Sequence, residues 1–202
     1  MFDWITGFLQ QSGYLGVLLL MFAENVFPPI PSELVMPLAG FTAARGELNI
    51  LLAVAAGTVG SLLGALPWYY AGRWLGAERL KGWADRYGRW LTVSPDEVDG
   101  AVGWFERHGG KAVLLGRLVP TVRTLISVPA GVTGMGLGPF LAYSAVGTAA
   151  WTGLLAGAGY LLEGQYEKVA DYLNPVSNVV LGLIALAYLY RVATFRRRQA
   201  AG

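Results

Sequence analysis

Cysteine and charged residues are what this sequence lacks most clearly. The 202-residue chain has no cysteine, which excludes a disulfide framework and a cysteine-based metal site. Only 14% of its residues are charged, whereas a soluble domain carries roughly 25%. The net charge of +2 is too small to suggest nucleic acid as a partner. With 54% hydrophobic residues, the composition predicts an integral membrane protein, and the length suits one domain over residues 1–202.

The first residues also lack the features of a cleaved signal peptide. Residues 1–4 contain neither a basic region nor a small-residue cleavage site. We therefore expect the first apolar segment to remain in the mature protein. Residues 1–11 place apolar side chains at helical spacing, which predicts a short helix at the membrane interface.

Prolines interrupt the next apolar run. Residues 14–23 are apolar, but Glu24-Asn25 follows, and three of the four residues 28–31 are proline. The new apolar segment at 33–44 is too short to cross a hydrocarbon core that needs about 20 residues. Such a segment predicts a re-entrant hairpin, which a membrane tolerates only where the hairpin is buried in protein or lines a cavity.

Three helices are predicted after this first hairpin. Residues 49–70 form a full-length span with small residues along one face. Residues 77–91 are amphipathic and predict a helix on the membrane surface. The capping sequence at 94–97 opens a second amphipathic helix, which we expect to end near the glycine pair 109–110.

The apolar character returns at Lys111 and is again interrupted by proline. Pro120 breaks the run first, Pro129-Ala130-Gly131 follows, and a glycine-rich turn is predicted to run from there through Gly138-Pro139. Residues 140–162 then predict another span. A short polar loop at 163–171 leads to a last span at about 175–195.

Lysine and arginine predict how the chain is oriented. They cluster in residues 73–111 and in the tail at 196–198, and the excess of positive charge on cytoplasmic segments places both regions in the cytoplasm. Two predicted spans separate the regions, so the arrangement is consistent. The first hairpin would then enter from the outside, the second would enter from the cytoplasm, and the C-terminus would be cytoplasmic.

The two interrupted segments share a pattern that predicts an internal repeat. Each has a proline break, a glycine and then a Gly-Thr pair and a tyrosine at nearly equal spacing: Gly40, Gly57 and Tyr70 in one half, and Gly131, Gly147 and Tyr160 in the other. With opposite entry sides this is an inverted repeat, an architecture that binds substrate near the bilayer midplane. The predicted parts are repeat 1 at about 12–75, an amphipathic cytoplasmic connector at about 76–110, repeat 2 at about 111–163, and the final span.

Four charged residues stand in otherwise uncharged sequence. Arg117 and Arg123 are the only charges in residues 112–162, and Glu24 and Glu33 are the only ones in residues 14–44. A single arginine at the centre of a bilayer costs at least ~2.5–3.5 kcal/mol. We therefore expect the four side chains to face one another in one pocket between the hairpins.

The arginines are candidates for binding phosphate. A guanidinium group is planar, permanently charged and able to donate two parallel hydrogen bonds to a phosphate. Pro120 would bend the chain and bring Arg117 and Arg123 toward one point. The alternative is structural, with the arginines simply neutralising Glu24 and Glu33 as buried pairs.

The two acids are candidates for proton coupling. If phosphate attracts their arginine partners, Glu24 and Glu33 become free to bind protons. Alternatively, they are buried hydrogen-bonded acids, or Glu33 caps a helix. Asn25 is expected to cap backbone at the break, and His108, the only histidine, is expected at the surface.

These motifs together resemble the DedA family of bacterial membrane proteins, which share the domain once called SNARE-associated. The resemblance covers about residues 10–165. It lies in Glu24-Asn25, in a proline-rich turn, in Gly116-Arg117-x-x-Pro120-x-x-Arg123 and in Pro129-Ala130-Gly131. The supporting hairpin residues are Asn25, Pro28, Pro31, Ser32, Gly116, Pro120, Pro129 and Gly131.

The resemblance implies a fold, a substrate and roles for the four charges. It implies paired inverted re-entrant hairpins flanked by spans, in a multi-pass protein of the bacterial cytoplasmic membrane. The implied activity is the return of undecaprenyl phosphate across that membrane, dependent on the proton gradient in some members. The family's acids correspond to Glu24 and Glu33, and its arginines to Arg117 and Arg123. One departure is that many members have an aspartate after Pro-Gly where this chain has Glu33.

We therefore expect an all-α membrane transporter, a flippase for a lipid phosphate, rather than an enzyme. Its expected partners are a polyprenyl phosphate or phospholipid headgroup, protons and the bilayer. No cofactor or metal is expected, and a homo-oligomer is left open. The first alternative is a non-selective phospholipid scramblase. A lipid-phosphate phosphatase is disfavoured because the membrane segments hold no histidine nucleophile and no set of metal ligands, and a pure scaffold would leave four intramembrane charges unexplained.

Overall fold

The computed structural model of the chain describes residues 2–26, 32–91, 95–120 and 122–161. In these ranges the regular elements are all helices, which confirms the all-α prediction. They are α1 (Phe2–Val26), α2 (Ser32–Ala44), α3 (Ile50–Leu91), α4 (Pro95–Arg117), α5 (Ser127–Val132) and α6 (Leu137–Leu161). Pro28, Pro31, the polar loop 163–171, the final span and the basic tail lie outside the described residues.

Glycine breaks divide the first and third helices as the sequence predicts. In α1 the break is at Gly13, where φ is 53°, and in α3 it is at Gly76, where φ is 65°. Both values lie in the left-handed region that glycine enters without steric cost. The breaks confirm separate helices before residue 13 and after residue 76. Their position at the membrane surface stays a prediction.

The residues just before α3 lie beside the start of the second part of α1. The backbone N–H of Asn49 donates to the Tyr14 hydroxyl at 2.8 Å. Asn49 also caps α3, because its Oδ1 accepts from the N–H groups of Leu51 and Leu52 at 2.9 and 3.2 Å. The predicted short helix at 33–44 is confirmed as α2.

One prediction about the second half is wrong. Helix α4 does not end near residues 109–110 but continues to Arg117. Gly110 lies against the ring of Tyr143, where a Cβ would overlap the ring, so this glycine serves close packing instead of ending the helix. The glycine-rich turn before the next span is present, with Gly134 at a φ of 69°, and it ends before α6 begins at Leu137, so Gly138 and Pro139 already belong to the first turn of α6.

A surface ion cluster joins the amphipathic part of α3 to α4. Lys81 donates from Nζ to Asp99 Oδ1 at 2.6 Å and to Glu78 Oε1 at 3.2 Å. The cluster is exposed, so we expect it to orient the connector more than to stabilise it.

The short helix of the first half packs against the long helix of the second. A Cβ on Gly40 of α2 would overlap the carbonyl of Ala156 in α6, and a Cβ on Gly159 would overlap the carbonyl of Pro37. Backbones in such close contact require glycine at the crossing point. Helices α2 and α6 therefore cross backbone to backbone.

The short helix of the second half makes the reciprocal contact. A Cβ on Gly131 of α5 would overlap the carbonyl of Tyr69 in α3, and one on Gly72 would overlap the carbonyl of Val128. Each half thus contributes its short helix to the long helix of the other half. This exchange, which we call the crossed packing, brings Glu24 at the end of α1 next to Arg123 in the turn after α4.

The outer surfaces of α3 and α6 are apolar. Leu51, Leu154 and Leu161 are 76%, 63% and 84% exposed. In the described part of the chain, two segments are long and apolar enough to cross a membrane, Ile50–Arg86 and Leu137–Leu161. The exposed leucines match the surface that a lipid-facing helix requires.

Candidate functional site

Three of the four predicted charges form one ion-pair cluster. Arg123 donates from an Nη to a carboxylate oxygen of Glu24, and the same nitrogen lies 4.0 Å from Glu33 Oε1. Glu24 and Arg123 are buried, at 3% and 7% exposure, whereas Glu33 is partly exposed. The cluster joins the C-terminal end of α1, the start of α2 and the turn after α4.

Asn25 holds the Glu24 carboxylate in place. Its Nδ2 donates to Glu24 Oε2 and to the Met21 carbonyl, both at 3.0 Å. The bond to Met21 is the expected backbone cap, and the bond to Glu24 was not predicted. The Asn25 carbonyl in turn accepts from Trp68 Nε1 at 2.8 Å. These bonds tie the acid to α3.

Arg117 is buried without a carboxylate partner. It is 2% exposed and ends α4. Its guanidinium donates to Ser127 Oγ at 3.0 Å and to Ser144 Oγ at 3.3 Å, and its Cζ lies 5.7 Å from the centre of the Phe140 ring. No carboxylate of a described residue lies within 4 Å of it. Among the described residues, a buried ion pair is therefore made by Arg123 and not by Arg117.

The turn after α4 brings Arg123 back toward Arg117. Successive turn bonds, such as Val119 N–H to the Gly116 carbonyl and Arg123 N–H to the Val119 carbonyl, reverse the chain around Pro120. Gly116 permits the return, because a Cβ there would lie 2.9 Å from a side-chain carbon of Ile126. The spacing of six residues, which would separate the arginines on a straight helix, therefore brings them to one place.

Both arginines line one small cavity. Its volume is about 10 Å³, close to the minimum of ~10–15 Å³ that holds one water molecule. The cavity is lined by Asn25, Ser61, Arg117, Arg123, Thr148 and Trp151. Ser61 comes from α3, and Thr148 and Trp151 come from α6, so both long helices contribute to its wall.

Sequence reasoning missed Ser61, Thr148 and Trp151. Two signals could have found Ser61 and Thr148. Ser61 lies next to Gly60 on the glycine-lined face of the span, and Thr148 belongs to the Gly-Thr pair of the repeat. The serines that hold Arg117, Ser127 and Ser144, had no comparable signal, because their proximity depends on the packing of α4 against α5 and α6.

Three further residues that the sequence predicts as supporting lie in the short helices α2 and α5. Gly131 forms the crossing of α5 with α3, and the carbonyl of Pro129 accepts from Thr133 Oγ1 at 2.9 Å in the last turn of α5. Ser32 is the first residue of α2. Among the described residues there is no group of three or more His, Cys, Asp and Glu side chains arranged to hold a metal ion.

The fold and the cavity define a class, that of helical proteins in which buried arginines line a cavity between two helices long and apolar enough to cross a membrane. The family model named VTT domain matches residues 30–161. The chain belongs to this family, the DedA family of membrane proteins, as its motifs predict.

Several relatives match nearly the full chain. An alkaline phosphatase-like protein of Lactococcus lactis subsp. cremoris is 36% identical over 95% of this chain and 90% of its own. Undecaprenyl phosphate transporter A of Staphylococcus aureus is 33% identical over 92% of both chains. Undecaprenyl phosphate transporter A of Bacillus subtilis is 29% identical over 96% of both. No solved structure matches the chain.

Proposed function

We propose that the protein carries a lipid phosphate across the membrane, with Arg117 and Arg123 as the phosphate-binding residues. The observation that carries this proposal is the buried Arg117 guanidinium, whose direct partners are two serine hydroxyls and an aromatic ring. A buried charge without an opposite charge is expensive. A phosphate monoester in the adjoining cavity would supply the missing negative charge and accept the donors of both arginines.

The relatives support undecaprenyl phosphate as the substrate. Two proteins that match this chain over more than nine tenths of its length carry the name undecaprenyl phosphate transporter A. We propose that this chain moves the same lipid from the outer to the inner leaflet of the bacterial cytoplasmic membrane. The headgroup would pass between the turns, and the prenyl tail would stay in the bilayer.

The ion pair of Glu24 with Arg123 supports proton coupling. A phosphate that draws Arg123 away would leave Glu24 buried without a counter-ion. A carboxylate in that position is expected to take up a proton, since burial disfavours its charged form. Glu33, at 4.0 Å from the same nitrogen, is the second acceptor. Phosphate binding and proton uptake would then occur together.

The crossed packing supports the inverted-repeat topology. Helix α2 has 13 residues, about 20 Å at 1.5 Å per residue, which is less than the ~30 Å of a hydrocarbon core. The contact between Tyr14 and Asn49 is consistent with a hairpin that leaves the membrane on the side where it enters. The equivalent glycines Gly40 and Gly131 each cross the other half's long helix. We propose opposed hairpins whose tips meet at the cavity.

A phosphatase is the second candidate, because a relative of 36% identity is named alkaline phosphatase-like. The only histidine, His108, is exposed and bonded through Nδ1 to the Trp104 carbonyl at 3.0 Å. It therefore offers no nucleophile to the cavity, and we favour transport.

The deciding experiment uses the purified chain in liposomes. Fluorescently labelled prenyl phosphate and labelled phosphatidylglycerol are supplied in separate vesicles, with and without a proton gradient, and free phosphate is assayed in parallel. We expect gradient-dependent movement of the prenyl phosphate alone. Equal movement of both lipids without a gradient would instead show a scramblase, and release of inorganic phosphate would show an enzyme.

A further inference from the structure

Three buried polar atoms without a hydrogen-bond partner share the cavity. Among the described residues, the buried side-chain atoms that lack a partner are Ser61 Oγ, Arg123 Nε and Trp151 Nε1. All three residues line the same small space. Buried polar groups are nearly always satisfied in folded proteins. The coincidence of all three at one place therefore points to an occupant.

The chemistry of these atoms defines what the occupant must be. Arg123 Nε and Trp151 Nε1 are donors that cannot accept, and the Ser61 hydroxyl can also donate. The occupant must accept up to three hydrogen bonds at one point. A single oxygen atom has the right size for a cavity of about 10 Å³.

The charges around the cavity favour an anionic oxygen over a water molecule. Two guanidinium groups lie in its wall, and the lining residues include no carboxylate. Glu24 pairs with Arg123 through an Nη, which leaves Nε directed to the cavity. Hydrogen bonds to an ionised acceptor are roughly twice as strong as those between neutral groups.

We propose that Trp151 and Ser61 are ligands of the transported headgroup. One phosphate oxygen enters the cavity and accepts hydrogen bonds from Trp151 Nε1, Arg123 Nε and Ser61 Oγ, while Arg117 binds the rest of the phosphate. This inference rests on the proposed function and extends it. The headgroup site is then made by both long helices, α3 and α6, as well as by Asn25 at the end of α1 and the two arginines at and after the end of α4.

The test measures binding directly. Purified protein in detergent is titrated with farnesyl phosphate and, in parallel, with farnesol, which has the same chain and no phosphate. We expect Trp151→Phe and Ser61→Ala each to weaken farnesyl phosphate binding about tenfold, the low end for a hydrogen bond to a charged group. Binding of farnesol should not change.

Matched controls separate this effect from general perturbation. Trp104→Phe removes an indole that is 49% exposed and stacked on His108, away from the cavity. Ser12→Ala removes a hydroxyl that lies directly before the break at Gly13 in α1 and does not line the cavity. Neither variant should change affinity. The thermal midpoint of each ligand-free variant is measured as well, and Ser61→Ala tests the proposal if Trp151→Phe fails to fold.

Two outcomes would overturn the inference, and they have different consequences for the proposed function. If Trp151→Phe and Ser61→Ala keep wild-type affinity while Arg117→Ala loses it, the cavity holds structural water and the arginines alone bind phosphate. The proposed function survives that result. If the wild-type protein binds farnesyl phosphate no better than farnesol, the proposed function fails and the inference fails with it.

Discussion

The two buried arginines differ in their partners, and this difference decides what each can do. Arg123 is held by Glu24 and lies near Glu33, so its charge is already compensated. Arg117 is held by serine hydroxyls and keeps an uncompensated charge at 2% exposure. We infer that Arg117 provides the attraction for phosphate, and that Arg123 links phosphate binding to the acids.

Arg117→Lys should impair transport although the charge is retained. An ammonium group is a point donor and cannot bond Ser127, Ser144 and a phosphate in the fixed geometry of a guanidinium. We expect the initial rate of prenyl phosphate uptake in liposomes to fall at least about tenfold, as expected for the loss of one charged hydrogen bond. Arg107→Lys on the exposed face of α4 is the control. A lysine variant at the wild-type rate would mean that only charge matters at this position.

Glu24→Gln should flatten the pH dependence of transport. The amide cannot bind or release a proton in the neutral range, and Arg123 loses its strongest partner. Uptake is measured at a series of pH values with the gradient collapsed, alongside Glu106→Gln, which changes an exposed acid of α4. An unaltered pH profile in the Glu24 variant would remove this residue from coupling.

At the scale of the helices, glycine positions determine which elements can approach each other. Gly131→Ala places a Cβ into the Tyr69 carbonyl, so α5 must move away from α3. Overpacking of this kind costs typically ~1–3 kcal/mol. We expect a lower midpoint of thermal unfolding in detergent.

Gly103→Ala in α4 is the matched control, because no atom lies within 4 Å of the Cβ it adds. Alanine in an open helical position stabilises by about 0.5–1 kcal/mol over glycine, so its midpoint should rise slightly. The two glycine-to-alanine substitutions should thus shift the midpoint of thermal unfolding in opposite directions. A Gly131 variant as stable as wild type would argue against the close crossing of α5 and α3.

The helices could be predicted from local sequence, but one boundary and the cavity wall could not. Prolines, caps and apolar periodicity gave α2, the break in α3 and the start of α4. The end of α4 was missed because glycine normally ends helices, and only the packing of Tyr143 on Gly110 explains why the helix continues. Trp151 was missed because its neighbours in the cavity wall come from distant parts of the chain, and no local pattern encodes such contacts.

At the scale of the whole molecule, the proposed topology makes a prediction about sidedness. The natural chain has no cysteine, so single cysteines can be introduced without background. Glu47→Cys, after α2, should react with a membrane-impermeant maleimide on intact cells. Gly138→Cys, at the start of α6, should react only after the membrane is opened. Both positions are exposed.

Two labelling outcomes would contradict the proposed topology. Labelling of both positions from outside, or of Gly138→Cys alone, would contradict opposed hairpins. The contact of Arg123 with the two acids could be predicted from sequence because each charge is costly in lipid. The exchange of short helices between halves could not be predicted in that way, since the same glycines would also permit packing within one half.

The crossed packing also bears on biosynthesis. Helix α2 leaves the ribosome long before α6 has been translated, so its glycine face and the neighbouring acid must wait in the translocon or in lipid without their partner. The N-terminal half alone therefore cannot reach its final arrangement. Helix α2 can adopt its final packing only after α6 has been synthesised and inserted.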